Sequence, residues 1–390
     1  MDRERDAFVH ETALCRVVLS ADGSQTAVAE AQALNVSRVM IVGSPRALAT
    51  AAGAALRKAF ERAGPAAPVI FDKVAEHPLL ASAIEGGEIA AAQGVDRIVA
   101  FGGGSAIDLA KGIALQVAAG DPLIRFSTRD RTPDASETAC IIPLPVIAIP
   151  NTASGAEVTP GIGLRDEKGH KLLLRHPRSP CRVIILDPQA NLETPCRVLL
   201  PSGLNAIAHC LEAMYSAARD PISSTLALSA LRRLMAGLRT MMERDGVDAR
   251  RNILVGSYLA GRSIVNARTA VHHAVCHVLG ANGVSHGIAN TIMLPHVLQF
   301  NRSAVNELLG ETAQAMDDLQ SHGSPCDRIV GAIEALAVSG SLPRRLRDVG
   351  VPKDRLANMA DAILLEPGLR FNPVQPVDRS DLEDILKAAW

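Results

Sequence analysis

The chain has 390 residues, of which 48% are hydrophobic, 21% charged and only 3% aromatic; 40 Lys and Arg against 41 Asp and Glu leave a formal net charge of -1. That length allows a large core in two domains or one big one, and the near-zero charge argues against a nucleic-acid binder or a polyanion receptor. One Trp, two Tyr and seven Phe leave little for stacking platforms, and a mass of Ala, Leu, Val and Ile favours helices packed on a buried sheet over an all-β sandwich.

The start, MDRERDAF, is charged and runs into no apolar segment of signal type. The longest apolar run, Cys140 to Pro150, is too short for a membrane span and carries three prolines. Seven cysteines are scattered without a CxxC pair, which argues against a disulfide framework or a zinc ribbon. A reduced, cytoplasmic setting is expected, with no membrane and no nucleic acid among the partners.

In chain order, short apolar runs alternate with helical patterns. Strands are expected at Arg38–Gly43, Pro68–Phe71, Arg97–Phe101, Val146–Ile149 and Arg182–Leu186, and helices at Pro45–Arg62, Leu79–Gln93 and after Gly102-Gly103-Gly104-Ser105. Continuous apolar strands separated by helices predict a parallel sheet covered on both faces. Beyond Asp187-Pro188 the pattern turns all-helical: Ser202–Ala217, Ile222–Arg244, Arg250–Asn266, Ala270–Leu279 and Ala289–Phe300. The expected organisation is an α/β domain over 1–190 and an all-α domain over 191–390.

The run Phe101-Gly102-Gly103-Gly104-Ser105 lies between a strand and a helix. Glycines there let a ligand approach the backbone, and the helix N-terminus suits a phosphate. Ser105 can add a hydroxyl donor or cap the helix. A tight turn with a capped helix is the plainer reading. Gly43-Ser44-Pro45-Arg46 ends a second strand. Ligands of doubly wound sheets lie beyond the carboxyl ends of the strands, so two such turns would suit a dinucleotide, with Arg46 within reach of a 2′-phosphate or simply facing solvent.

The helical half concentrates histidine. Asn205 and His209 are four residues apart, as are His273 and His277; His272 adjoins them, His286 follows a Gly-containing loop, and His296 is nearby. Spacing of i and i+4 places each pair on one helix face. A divalent-metal site and a metal-free cluster that donates protons and holds an anion both fit this pattern. Asn205 supplies only a neutral amide oxygen, a weaker ligand than a carboxylate for a hard cation.

The chain resembles the iron-containing (group III) alcohol dehydrogenase family in GGGSAIDLAK (102–111), IPNTASGAEVTP (149–160), GHK (169–171), LDP (186–188), SGLNAIAHCLEA (202–213) and HAVCHVLGANGVSHGIANTIMLPHVLQFN (273–301). The resemblance implies a dehydroquinate-synthase-like nicotinamide dinucleotide-binding α/β domain and an all-helical catalytic domain, with the active site in a cleft between them. It also implies a homodimer. It places NADH or NADPH against Gly43, Ser44, Gly103, Gly104, Ser105, Asp108, Asn151, Thr152 and Lys171. The positions matching the family's Fe2+ or Zn2+ ligands are Asn205, His209, His273 and His286, and His277 matches a further active-site histidine.

Asn205 in place of Asp, and a 151–157 segment one residue shorter than usual, resemble the maleylacetate reductase branch. That branch typically has Lys where this chain has Ala274, and it lacks the form of residues 286–296, which is more like the alcohol dehydrogenases; the loop from His273 to His286 is one residue short as well. The resemblance thus implies an NAD(P)-dependent oxidoreductase that reduces a small molecule: maleylacetate to 3-oxoadipate, an alcohol or aldehyde at a metal, or, in a lyase-like or binding homologue, no net redox change. His209, His273, His277 and His286 are the candidate catalytic groups, with His273 or His277 as general acid. A carboxylate substrate calls for guanidinium groups, for which Arg262, Arg268 and Arg370 are available.

Overall fold

The structure, a computed structural model, describes residues 8–35, 37–63, 66–120, 122–128, 138–316 and 322–390. The charged stretch at 1–7 lies outside the described residues. Thr12–Thr194 form one compact unit; Pro195–Trp390, together with residues 8–11, form the other. Residues 8–11 belong there because His10 Nδ1 lies 3.1 Å from the Asp220 carboxylate and the Glu11 amide donates to Asn266 Oδ1 at 2.9 Å.

The α/β unit is built on a six-stranded sheet in the order β1-β8-β5-β4-β2-β3, parallel throughout. The strands are β1 Arg16–Leu19, β2 Val39–Val42, β3 Val69–Phe71, β4 Arg97–Gly102, β5 Val146–Pro150 and β8 Val183–Leu186. β2, β5 and β8 are buried at every position, as expected for strands covered on both faces. The helices here are α1 Gly23–Ala33, α2 Pro45–Leu48, α3 Ala51–Ala63, α4 Leu80–Ala92, α5 Gly104–Ala119 and α6 Pro188–Asn191.

Three strands go beyond the sequence expectation. β1 is a four-residue edge strand whose side chains are largely exposed, so it lacks the buried apolar signature. β6 (Gly161–Arg165) and β7 (Lys171–Arg175) form an antiparallel hairpin. Ile162, Leu164, Leu172 and Leu174 point inward, but the exposed Leu173 hides the alternation in β7. The single helix expected over Pro45–Arg62 is two. Thr50 Oγ1 donates to the Ala47 carbonyl at 2.8 Å and accepts from the Gly53 amide at 3.1 Å, ending α2 and starting α3. Asp187, in the LDP motif, is a structural clamp: it caps α6 through Ala190 N and accepts from Gly23 N at 2.7 Å.

The second unit contains α7 Cys196–Tyr215, α8 Pro221–Glu243, α9 Val247–Ala267, α10 Val271–Ala281, α11 His286–Val305, α12 Gly310–Met316, α13 Pro325–Ser339, α14 Leu356–Ile363 and α15 Arg379–Ala389. Small residues let the long helices approach: a Cβ on Gly203 would stand 2.6 Å from Leu238, and one on Gly237 2.8 Å from Ile253. No described helix is long and apolar enough to cross a membrane.

A buried charge network lies at the heart of the α/β unit. Lys111, 1% exposed, donates through Nζ to Asp108 Oδ1, to the Ala156 carbonyl at 2.8 Å and to the Gly161 carbonyl. It thereby ties α5 to the loop after β5. Glu157 is buried beside this network, and burial pushes its carboxyl up to about 7 although Lys111 pulls the other way. Its ordinary value is 4.5, so the folded chain retains a proton between about pH 4.5 and 7 that the unfolded chain has lost. This group's contribution to stability is therefore full below that window and is lost as pH rises through it. Glu157→Gln should remove the dependence, and the variant should gain on the wild type by up to roughly 3 kcal/mol between pH 5 and 8. Urea unfolding at each pH reads the difference, and parallel stability curves for the two proteins would refute it.

Candidate active site

In the α/β unit, neighbouring strands β2, β4 and β5 end in the loops that carry Gly43-Ser44, Gly102–Ser105 and Asn151–Thr152. The Asn151 amide donates to Gly102 O at 2.9 Å, locking two of these loops together. A Cβ on Gly43 would stand 2.8 Å from Phe101 O, one on Gly103 3.0 Å from Thr152 Oγ1, and one on Gly104 3.0 Å from Ser154 Oγ. Gly102 adopts φ +148, a conformation side chains disfavour. Glycine is thus required to bring the turn this close to its neighbours, and the first amides of α5 follow directly. This is a cradle of the kind that receives a phosphate.

The capping role expected of Ser105 changes, and Asp108 takes a structural one. Gly103, not Ser105, is the N-cap of α5, without a side-chain cap bond; Ser105 Oγ donates to Glu76 O at 2.5 Å and so holds a neighbouring loop. Asp108 accepts from Lys111 Nζ at 3.2 Å and from Gly163 N at 3.1 Å, which makes it an anchor between α5 and β6. Ser44 caps α2 through Ala47 N. Arg46 is exposed on α2, and Lys171 opens β7, close enough to Asp108 for its charge to favour the carboxylate.

In the helical unit the histidines come together. One face of α7 carries Asn205, His209 and Glu212; α10 carries His272, His273 and His277; α11 begins at His286. The rings of His209 and His273 stack with centroids 4.6 Å apart and planes 12° apart. His273 lies 6.3 Å from His277 and 5.9 Å from His286, and His277 lies 6.1 Å from His286. His272 meets His273 edge-on at 5.2 Å and pairs with Asn290 Oδ1 at 2.8 Å.

Glu212 is fully buried and binds His273 twice, accepting from its amide at 3.2 Å and pairing with Nδ1 at 2.6 Å. His273 Nε2 stands 3.4 Å from Asn205 Oδ1. His277 Nδ1 pairs with Glu366 Oε2 at 3.0 Å. Burial, with the neighbouring imidazoles His273, His272 and His277, holds His209 well below its ordinary value, and its buried Nδ1 has no hydrogen-bond partner. Burial likewise takes His272 down to about 4, so these two rings are neutral near pH 7. Glu212 and Glu366 were not singled out from the sequence. Glu212 could have been, since it lies three residues after His209 on the same helical face.

The family resemblance implies a divalent cation at Asn205, His209, His273 and His286. The donor set there would be three imidazoles and one amide oxygen, without a carboxylate. Among the described residues no group of three His, Cys, Asp or Glu side chains converges as a metal site, and the first position offers a neutral amide. The three arginines lie on three different elements. Arg262 lies on α9, Arg268 is its C-cap at φ +65, and Arg370 packs over the Phe371 ring at 4.7 Å. His296 lies further along α11, its value lowered by burial and by Arg345.

A glycine cradle at the strand ends of a parallel sheet, together with a helical unit rich in paired imidazoles, defines an oxidoreductase scaffold. The iron-containing alcohol dehydrogenase family matches residues 16–188, and the C-terminal portion of the Fe-containing alcohol dehydrogenase family matches residues 200–390. The chain belongs to the iron-containing alcohol dehydrogenase family and is an oxidoreductase. It is 29% identical to a maleylacetate reductase of Rhizobium sp. over 98% of this chain and 97% of that one. It is 30% identical to maleylacetate reductase 2 of Cupriavidus pinatubonensis over 100% of this chain and 98% of the relative. The crystal structure of maleylacetate reductase from Agrobacterium tumefaciens superposes with a TM-score of 0.81 at 28% identity, covering 99% of this chain and 98% of that one.

The cradle generates a direct expectation. Gly104→Val would force a branched side chain against Ser154 and cover the α5 amides. The dissociation constant for NADPH or NADH, read by nicotinamide fluorescence, should rise at least about tenfold, the equivalent of ~1.4 kcal/mol, with the circular dichroism spectrum unchanged. Wild-type affinity in the variant would refute the assignment.

Proposed function

We propose that the chain is an NAD(P)H-dependent reductase of the maleylacetate reductase kind, converting maleylacetate to 3-oxoadipate. The observation that carries this reading is the cluster of His209, His273, His277 and His286, backed by Glu212 and facing a neutral Asn205. The full-length similarity to maleylacetate reductases supports the same substrate class. The neutral amide of Asn205 at the first ligand position favours this reading over the alternative, a metal-dependent alcohol dehydrogenase.

The reduced nicotinamide, when bound, supplies the hydride. The protein's part is to position the substrate and to manage charge and a proton. In the forward direction the hydride adds to the alkene carbon β to the ketone, the alkene electron pair moves toward the ketone oxygen, and a proton is added at the α carbon. Neutral His209, with His286, offers hydrogen-bonding groups for that oxygen or for a substrate carboxylate.

Of the two candidate general acids, His277 is the better placed. His273 is almost fully buried and is engaged by Glu212 and Asn205, whereas the His277 side chain is 25% exposed. An imidazole titrates close enough to neutrality to give its proton and recover it.

Purified protein mixed with maleylacetate and NADH or NADPH should show loss of absorbance at 340 nm, and His277→Ala should lower kcat by about 10²- to 10⁴-fold. No turnover with either nicotinamide would remove the substrate assignment. An undiminished kcat in the variant would remove the role of His277.

A further inference from the structure

We infer that Glu366 is a positioning residue for His277: it holds the imidazole by Nδ1, so that Nε2 is the nitrogen that exchanges a proton with substrate. The inference deepens the proposed reduction and rests on it for the kinetic part only. The Glu366 Oε2 to His277 Nδ1 distance of 3.0 Å joins residues 89 positions apart. A carboxylate accepts and does not donate, so Nδ1 carries the hydrogen and the neutral ring has its lone pair on Nε2.

The segment that presents Glu366 is fixed at several points, which separates this pair from a chance surface contact. The Glu366 amide donates to Ile363 O at 2.9 Å, and the Ala217 amide at the end of α7 donates to Phe371 O at 2.9 Å. Asn372 and Asn301 exchange amide hydrogen bonds of 3.0 and 2.8 Å in a buried pair that ties the segment to α11. A Cβ on Gly368 would stand 3.2 Å from the carbonyls of Thr269 and Ala270, so the turn over Pro367–Phe371 runs hard against the start of α10.

Both partners are about a quarter exposed, at 25% for His277 and 28% for Glu366. At that exposure the pair adds little to stability, and its effect is on ring orientation and tautomer. The cluster therefore holds two imidazoles with carboxylate partners on Nδ1: His273, buried with Glu212, and His277, closer to solvent with Glu366.

Histidine ring NMR at alkaline pH, where the imidazole is neutral, tests the positioning without substrate. Wild-type His277, assigned by His277→Ala, should be the Nδ1–H tautomer, and Glu366→Ala should move it toward Nε2–H. In turnover, Glu366→Ala should lower kcat by about 10- to 100-fold with KM within about twofold. Glu366→Gln, whose amide oxygen can still accept from Nδ1, should recover at least part of the loss. The double variant with His277→Ala should be no slower than His277→Ala alone. A His277 tautomer unchanged by Glu366→Ala, or an unchanged kcat on whichever substrate the protein reduces, overturns the inference. Failure to reduce maleylacetate would count against the proposed substrate and leave the tautomer result to stand or fall alone.

Discussion

The contact on which the helical unit's chemistry depends is the buried pair between Glu212 and His273. Neither side chain is more than 3% exposed, and the carboxylate is satisfied by both the ring and the amide of His273. Desolvation raises the Glu212 carboxyl, an effect that hydrogen bonds to its charged form oppose. Removing either partner would strand a polar group in the core, so the bond fixes the facing of α7 against α10. Once that facing is set, His209 must stack on His273, and Asn205 must approach Nε2. A bond made for packing thereby decides which imidazoles share a site.

The α/β unit uses the same device behind its glycine cradle. Lys111 sits where a lysine is seldom found, and its three acceptors come from α5, the 151–160 loop and the start of β6. Two of them, α5 and the 151–160 loop, adjoin the Gly102–Ser105 turn. Asp108, which the family resemblance places against the cofactor, is part of this anchor. In both units a buried polar side chain with hydrogen-bond partners stands behind the candidate site residues, as a preorganised site requires.

The parallel sheet was legible because β2, β4, β5 and β8 are continuous apolar runs, and the helical half because its periodicity is long. The histidines were legible from i, i+4 spacing on α7 and α10. What stayed hidden has physical reasons. β1 is short and exposed at the sheet edge, and Leu173 breaks the alternation of the hairpin. The break at Thr50 is made by one hydroxyl that both donates and accepts. Glu366 joins His277 only through the fold, across 89 positions. Spacing could show that histidines cluster, but not which carboxylates stand behind them.

Reduction at paired imidazoles without a divalent cation is the part of the proposal that remains to be measured. It is tested most directly by measuring metal content and initial nicotinamide oxidation rate on the same preparation, before and after dialysis against a chelator. Less than about a tenth of an equivalent of iron or zinc per chain is expected, with a rate that the chelator leaves unchanged. Stoichiometric metal whose removal abolishes the rate, and whose return restores it, would contradict the account.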